Sequence, residues 1–74
     1  MGLEDAVEPL EGKTGRVSEA IPPNGEMGEV MLAVRGTSEG FNAVSKDEEL
    51  IPKNAQVVVL EQISARTVLV TALR

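Results

Sequence analysis

Any chemistry in this chain must come from carboxylates, hydroxyls and a few amines, because it has no cysteine and no histidine. That removes disulfides and thiolate metal sites, and it removes the commonest general base and metal ligand. Three constellations are left to weigh. In Gly12-Lys13-Thr14-Gly15 a lysine and a threonine stand between glycines. A phosphate loop needs several glycines, then Lys-Ser/Thr, then a helix, so that backbone N–H groups and the amine converge on one anion. Here that order is reversed and a strand pattern follows, so the glycines read as the start of a strand. Asp47-Glu48-Glu49 offers carboxylates to a hard cation. Adjacent residues do not point at one centre, and the spaced ligands of a calcium loop are missing, so this is read as a solvated acidic loop. Glu19, Glu29 and Glu61 would make an acid–base pair only if the fold buried two of them together. Nothing in their spacing requires that. Ser18, Ser38, Ser45 and Ser64 have no histidine to activate them. No residue is assigned as catalytic, cofactor-binding or metal-ligating, and the expectation is a non-enzymatic domain without a cofactor.

The elements that would position any site follow from the distribution of charge and apolar residues. A chain of 74 residues makes one small domain. Its formal charge is −5, and Glu4, Asp5, Glu8 and Glu11 supply four of those charges before residue 12, with no base among them. Residues 1–11 are therefore read as a flexible acidic leader, in which Pro9 interrupts any helix. Residues 12–74 are nearly neutral and are read as the domain. No apolar run reaches the length of a membrane span, and no signal peptide opens the chain. The start MGLEDA has Ala6 where a myristoylation motif wants Ser or Thr.

The domain reads as five short strands. Val17 to Ile21 can form the first, followed by the turn Pro22-Pro23-Asn24-Gly25. In GEMGEVMLAVRG, residues 25–36, the period of two marks a second strand. It is expected to be long and curved, with Val30, Leu32 and Val34 inward and Met31 and Ala33 outward. Gly36 to Gly40 reads as a turn. Phe41 to Lys46 forms a third strand, Gln56 to Ile63 a fourth and Thr67 to Leu73 a fifth. Pro52 and the run Val57-Val58-Val59 argue against a helix between residues 44 and 62. An open five-stranded sheet would leave edges and a bare face, with no helix to cover it. The expectation is an all-β closed barrel. With Phe41 as the sole aromatic residue, its core must be aliphatic.

In order and spacing these pieces resemble the soluble C-terminal domain of NfeD-like membrane proteins. The carriers are Gly12 and Gly15, the turn Pro23 to Gly25, Gly28 and Val30, then Phe41, Ala43 and Ser45, then Ile51 and Pro52, then Val57 and Val59, over residues 12–73. Asn54 stands where the family has a glycine, and asparagine tolerates the same left-handed backbone. Phe41 replaces the family's usual tryptophan or tyrosine. The resemblance implies an OB-like five-stranded Greek-key barrel without the usual helix between strands three and four. It also implies a domain tethered to a membrane through its parent protein, lying on the cytoplasmic side and working with scaffold proteins of the flotillin and stomatin type. The leader would then be part of the tether, and the isolated domain is expected to be a soluble monomer.

OB barrels that bind single-stranded nucleic acid stack bases on aromatic rings inside a basic groove. One aromatic and no basic surplus argue against that ligand, and Phe41 is better placed in the core. An oligosaccharide- or single-strand-binding barrel is the alternative function. The leading expectation is a protein-interaction module, with a docking face formed by Met27, Met31, Ala33, Val44 and Val58, because exposed methionine adapts to partner surfaces.

Overall fold

The computed structural model describes residues 9–73. Its strands are β1 (Thr14–Glu19), β2 (Gly28–Val34), β3 (Thr37–Ser45), β4 (Gln56–Ser64) and β5 (Thr67–Ala72), with no helix among the described residues. The strands close into a barrel in the order β1-β2-β3-β5-β4, with β4 returning to β1. All pairings are antiparallel except β3 with β5. This is the five-stranded OB-type Greek key, and the segment from Lys46 to Ala55 stands where an inter-strand helix would lie.

Alternation places the core. Val30 and Leu32 of β2, Phe41 and Ala43 of β3, Val57 and Val59 of β4 and Val68 and Val70 of β5 are all buried, with Val17 of β1, Ile21 and Ile51. Val34 packs against the same cluster from the barrel's end. Each fully buried Val or Leu contributes about 1.5–3 kcal/mol relative to exposure. An aliphatic interior can therefore hold a domain this small, with one aromatic ring at its margin. Ser45 is the one polar side chain buried among the described residues, and its Oγ accepts from the Asp47 amide at 2.8 Å.

The wall closes between β1 and the chain leading into β4. Gly12 N donates to Val59 O at 2.8 Å and Val59 N to Lys13 O at 2.9 Å. Further along, Asn54 N donates to Val17 O at 2.7 Å, and Ile21 and Ile51 exchange two bonds of 2.9 Å. At the seam between β1 and β2 the backbones come too close for any side chain at position 15. A Cβ there would sit 2.5 Å from Leu32 Cδ2 and 2.6 Å from Met31 O. Gly15 is thus required by packing.

Several boundaries differ from the sequence reading. β1 begins three residues earlier than expected, because Gly15 has no side chain to mark its inward phase, and Ile21 joins only an isolated bridge to Ile51. Residues 37–40, read as a turn, are the first residues of β3. The reversal is instead the two-residue turn Arg35-Gly36, with φ of 54° and 79°, between the paired Val34 and Thr37. Positive φ at both central residues is the type I′ signature, whose twist suits a tight hairpin. β2 spans seven residues, whereas β3 and β4 span nine each, so the length expected of the second strand lies in the third and fourth. Asn54 takes the left-handed conformation expected of it, at φ 77°. Leu10 was placed in the leader, yet it is only 3% exposed and belongs to the core cluster. The turn bond from Lys13 N to Leu10 O, 3.0 Å long, folds it back onto the barrel. Residues 1–8 of the expected leader lie outside the described residues.

Candidate functional site

Seen from outside, the barrel carries its apolar surface mainly on β3, β5 and β4. Leu69 lies between the buried Val68 and Val70 and so points outward from β5. Its register partner on the parallel β3 is Val44, and on β4 it is Glu61. Strict alternation from Val57 and Val59 would have turned Glu61 and Ile63 into the core. Two irregularities in β4, between Val59 and Glu61 and between Gln62 and Ser64, break that phase. A bulge adds a residue to one strand and re-aims the side chains beyond it. Here the bulges keep Glu61 out of the core and leave Ile63 exposed by 54%, while Leu60 is exposed on the outward phase in any case.

The result is a solvent-open groove of about 490 Å³. Val44, Leu69 and Ile63 form its apolar surface, Lys46 and Glu61 supply its charges, Ser45 contributes at the β3 side, and the Asn24-Gly25 turn also lines it. Asn24 and Gly25 have φ of 69° and 83°, so the turn expected at Pro22 to Gly25 helps to frame the groove. The loop after β3 is tied down beside it. The Asp47 carboxylate accepts from Thr71 Oγ1 at 2.9 Å and from Ala72 N at 3.1 Å.

The five residues expected to form one docking face are distributed differently. Met27 is 58% exposed just ahead of β2. Met31 is half-buried on β2, with Arg16 and Gly40 as register neighbours, and Ala33 is exposed opposite Ser38. Val58 is half-buried on β4, between Thr14 and Thr71. β2 and β4 are not adjacent in the barrel, so Met31 and Val58 occupy different faces. Val44 alone of the five lines the groove. Leu69 and Ile63 were not singled out. Thr67, Leu69 and Thr71 share one phase of β5, opposite Val68 and Val70, which carries a signal for Leu69, whereas the bulge that exposes Ile63 has none.

Of the acidic residues weighed for chemistry, only Glu19 and Glu29 come together, and neither is buried. Glu19 and Glu29 are register partners across β1 and β2, and Glu61 stands on β4. Glu29 Oε1 accepts the Ser18 hydroxyl at 2.6 Å. A carboxylate is too weak a base to make a serine into a nucleophile by that contact alone. No cluster of three or more metal-ligating side chains occurs among the described residues. Phe41, weighed as a base-stacking platform, is 5% exposed within the core.

The model for the NfeD C-terminal domain matches residues 14–71, the whole barrel but one residue. The solution structure of the soluble domain of the NfeD protein YuaF from Bacillus subtilis superposes with a TM-score of 0.70 at 32% identity, covering 85% of this chain and 73% of that one. The C-terminal domain of stomatin operon partner protein 1510-C from Pyrococcus horikoshii has a TM-score of 0.63, again at 32% identity, covering 88% of this chain and 89% of its own. No curated protein sequence matches. A family match over most of the barrel and two structural matches with the same wall of strands lead to one conclusion: the chain belongs to the NfeD C-terminal domain family.

Proposed function

We propose that this barrel is a non-enzymatic protein-interaction module of a membrane protein, acting on the cytoplasmic side beside scaffold proteins of the stomatin and flotillin type. The observation that carries the reading is the groove between Val44, Leu69 and Ile63. Its surface includes three aliphatic side chains, and its charged groups, Lys46 just beyond β3 and Glu61 on β4, are separated by β5. Such a surface suits contact with another protein better than bond making. One structural neighbour is a stomatin operon partner protein, which supports the choice of partner class. The oligosaccharide or single-strand alternative has less support, because the sole aromatic ring is in the core.

Co-purification with purified stomatin-type and flotillin-type scaffold proteins from the organism of origin tests the reading. The domain should retain a scaffold of one type, and Ile63→Glu should reduce capture while leaving the circular dichroism of the barrel unchanged. Met31→Glu tests the β2 face in the same assay. Failure of the wild-type domain to retain either scaffold would remove the proposed role.

A further inference from the structure

We infer that the groove over β3, β5 and β4 receives an amphipathic helix from a different polypeptide, with a basic residue of that helix set against Glu61 and an acidic one against Lys46. The inference rests on the interaction role proposed above and names the kind of segment that role would use.

Backbone accounting selects the helix. An extended peptide binds well where a strand presents an unpaired edge, because its own N–H and C=O groups then find partners. β5 offers no such edge: Leu69 pairs with Val44 on one side and with Glu61 on the other. A segment lying over Leu69 finds no backbone partner on β5, and a helix, whose backbone bonds are internal, is suited to such a surface. Side-chain chemistry agrees. Val44, Leu69 and Ile63 form an aliphatic surface that fits residues spaced i, i+3, i+4 and i+7 on one helical stripe. Ile63 reaches that surface because of a bulge, a feature that re-aims side chains at working surfaces.

Charge complementarity refines the partner. Of the residues lining the groove, the charged ones are Glu61 on β4 and Lys46 just beyond β3, separated by β5. A helix seated between them meets opposite charges along its two flanks. It is favoured when its own flanks carry opposite charges, and the pairing also sets the direction in which it runs. A second copy of this domain is a poor occupant, because none of its described residues is helical.

The test is a nuclear magnetic resonance titration of the ¹⁵N-labelled domain with three designed helical peptides sharing one leucine stripe. The first has lysine on one flank and glutamate on the other, the second lysine on both, the third glutamate on both. A fourth peptide alternates leucine and polar residues to favour an extended form. The expected result is saturable shifts of the Val44, Lys46, Glu61, Ile63 and Leu69 amides. The mixed-flank helix should bind tightest, by about threefold, the range of an exposed ion pair. Glu61→Lys should move that preference to the glutamate-flanked helix. Ile63→Ser and Leu69→Thr should each weaken all helical peptides. Equal binding of the extended peptide, unchanged preference in Glu61→Lys, or no groove shifts with any peptide would overturn the inference. So would shifts that follow domain concentration, which would point to a second copy. Scaffold capture measured on the same variants separates the two claims: capture that persists in Ile63→Ser and Leu69→Thr leaves the interaction role standing and removes the groove from it.

Discussion

The guanidinium of Arg66 lies over the ring of Phe41, 4.4 Å from its centroid. The same side chain donates to Gly40 O and pairs with Glu39 Oε1 at 3.3 Å. Arg66 belongs to the two-residue turn between β4 and β5, while its three partners are successive residues of β3. It therefore pins that turn to β3 and shields the margin of the core. Arg66→Ala should lower unfolding free energy by about 1–2 kcal/mol, from the ring contact and the carbonyl hydrogen bond together. The exposed ion pair adds little, so the loss should persist in high salt. Arg66→Lys should recover less than half, because an ammonium cannot stack and fork as a guanidinium does. Urea titrations at two salt concentrations check both variants.

The two glycines at 15 and 36 separate packing from backbone conformation. Gly15→Ala forces a methyl group against Leu32 and the immovable Met31 carbonyl, and should cost about 1–3 kcal/mol or more by overpacking. Gly36→Ala meets nothing within 4 Å but must hold φ near +79°, which costs about 1–2 kcal/mol. The test is whether Leu32→Ala rescues Gly15→Ala by making room. It should do so in part, and it should leave the cost of Gly36→Ala unaltered.

Asp47 joins the end of β3 to the end of β5. Asp47→Ala removes the acceptors of Thr71 Oγ1 and Ala72 N and should destabilise by about 1–3 kcal/mol. Thr71→Val loses only the hydroxyl bond and should cost less. Amide exchange distinguishes the two, since the Ala72 N–H should lose protection in Asp47→Ala and keep it in Thr71→Val.

Leu10 counts as core. Leu10→Ala should cost about 2–5 kcal/mol, the range for deleting a buried leucine side chain. A residue of a solvated leader would cost almost nothing, so thermal or urea unfolding decides the matter directly.

Titration with oligo-dT at low salt should give no complex tighter than about micromolar, the strong end of non-specific binding. The buried Phe41 leaves no platform for bases. A nanomolar complex would reverse that reading and revive the single-strand alternative.

Much of the barrel was legible in the residues because alternation is a local signal. Val30 and Leu32 announce an inward phase, and the structure buries both. The reversal at Arg35-Gly36 was misplaced by a few residues because arginine is an unusual occupant of a left-handed turn position. Meanwhile Thr37, Ser38 and Gly40 have the composition of a loop. Leu10 was misread because its burial depends on a fold-back against β4 that no local pattern encodes. The groove was the hardest feature to foresee. It requires β3 and β5 to lie side by side, a pairing between residues far apart in the chain, and it requires two bulges that reset the phase of β4. Val44 is among the residues expected at a docking face, whereas Leu69 on the adjoining strand and Ile63 beyond it are not.

β5 is the final strand in sequence, yet it is the one wedged between β3 and β4. A chain that carries β1 to β4 alone therefore cannot seal its wall, and presents two bare strand margins. Such margins invite wrong partners. A truncated product ending near Ser64 should be removed by proteases or held by chaperones, while a released chain that includes β5 can close the wall.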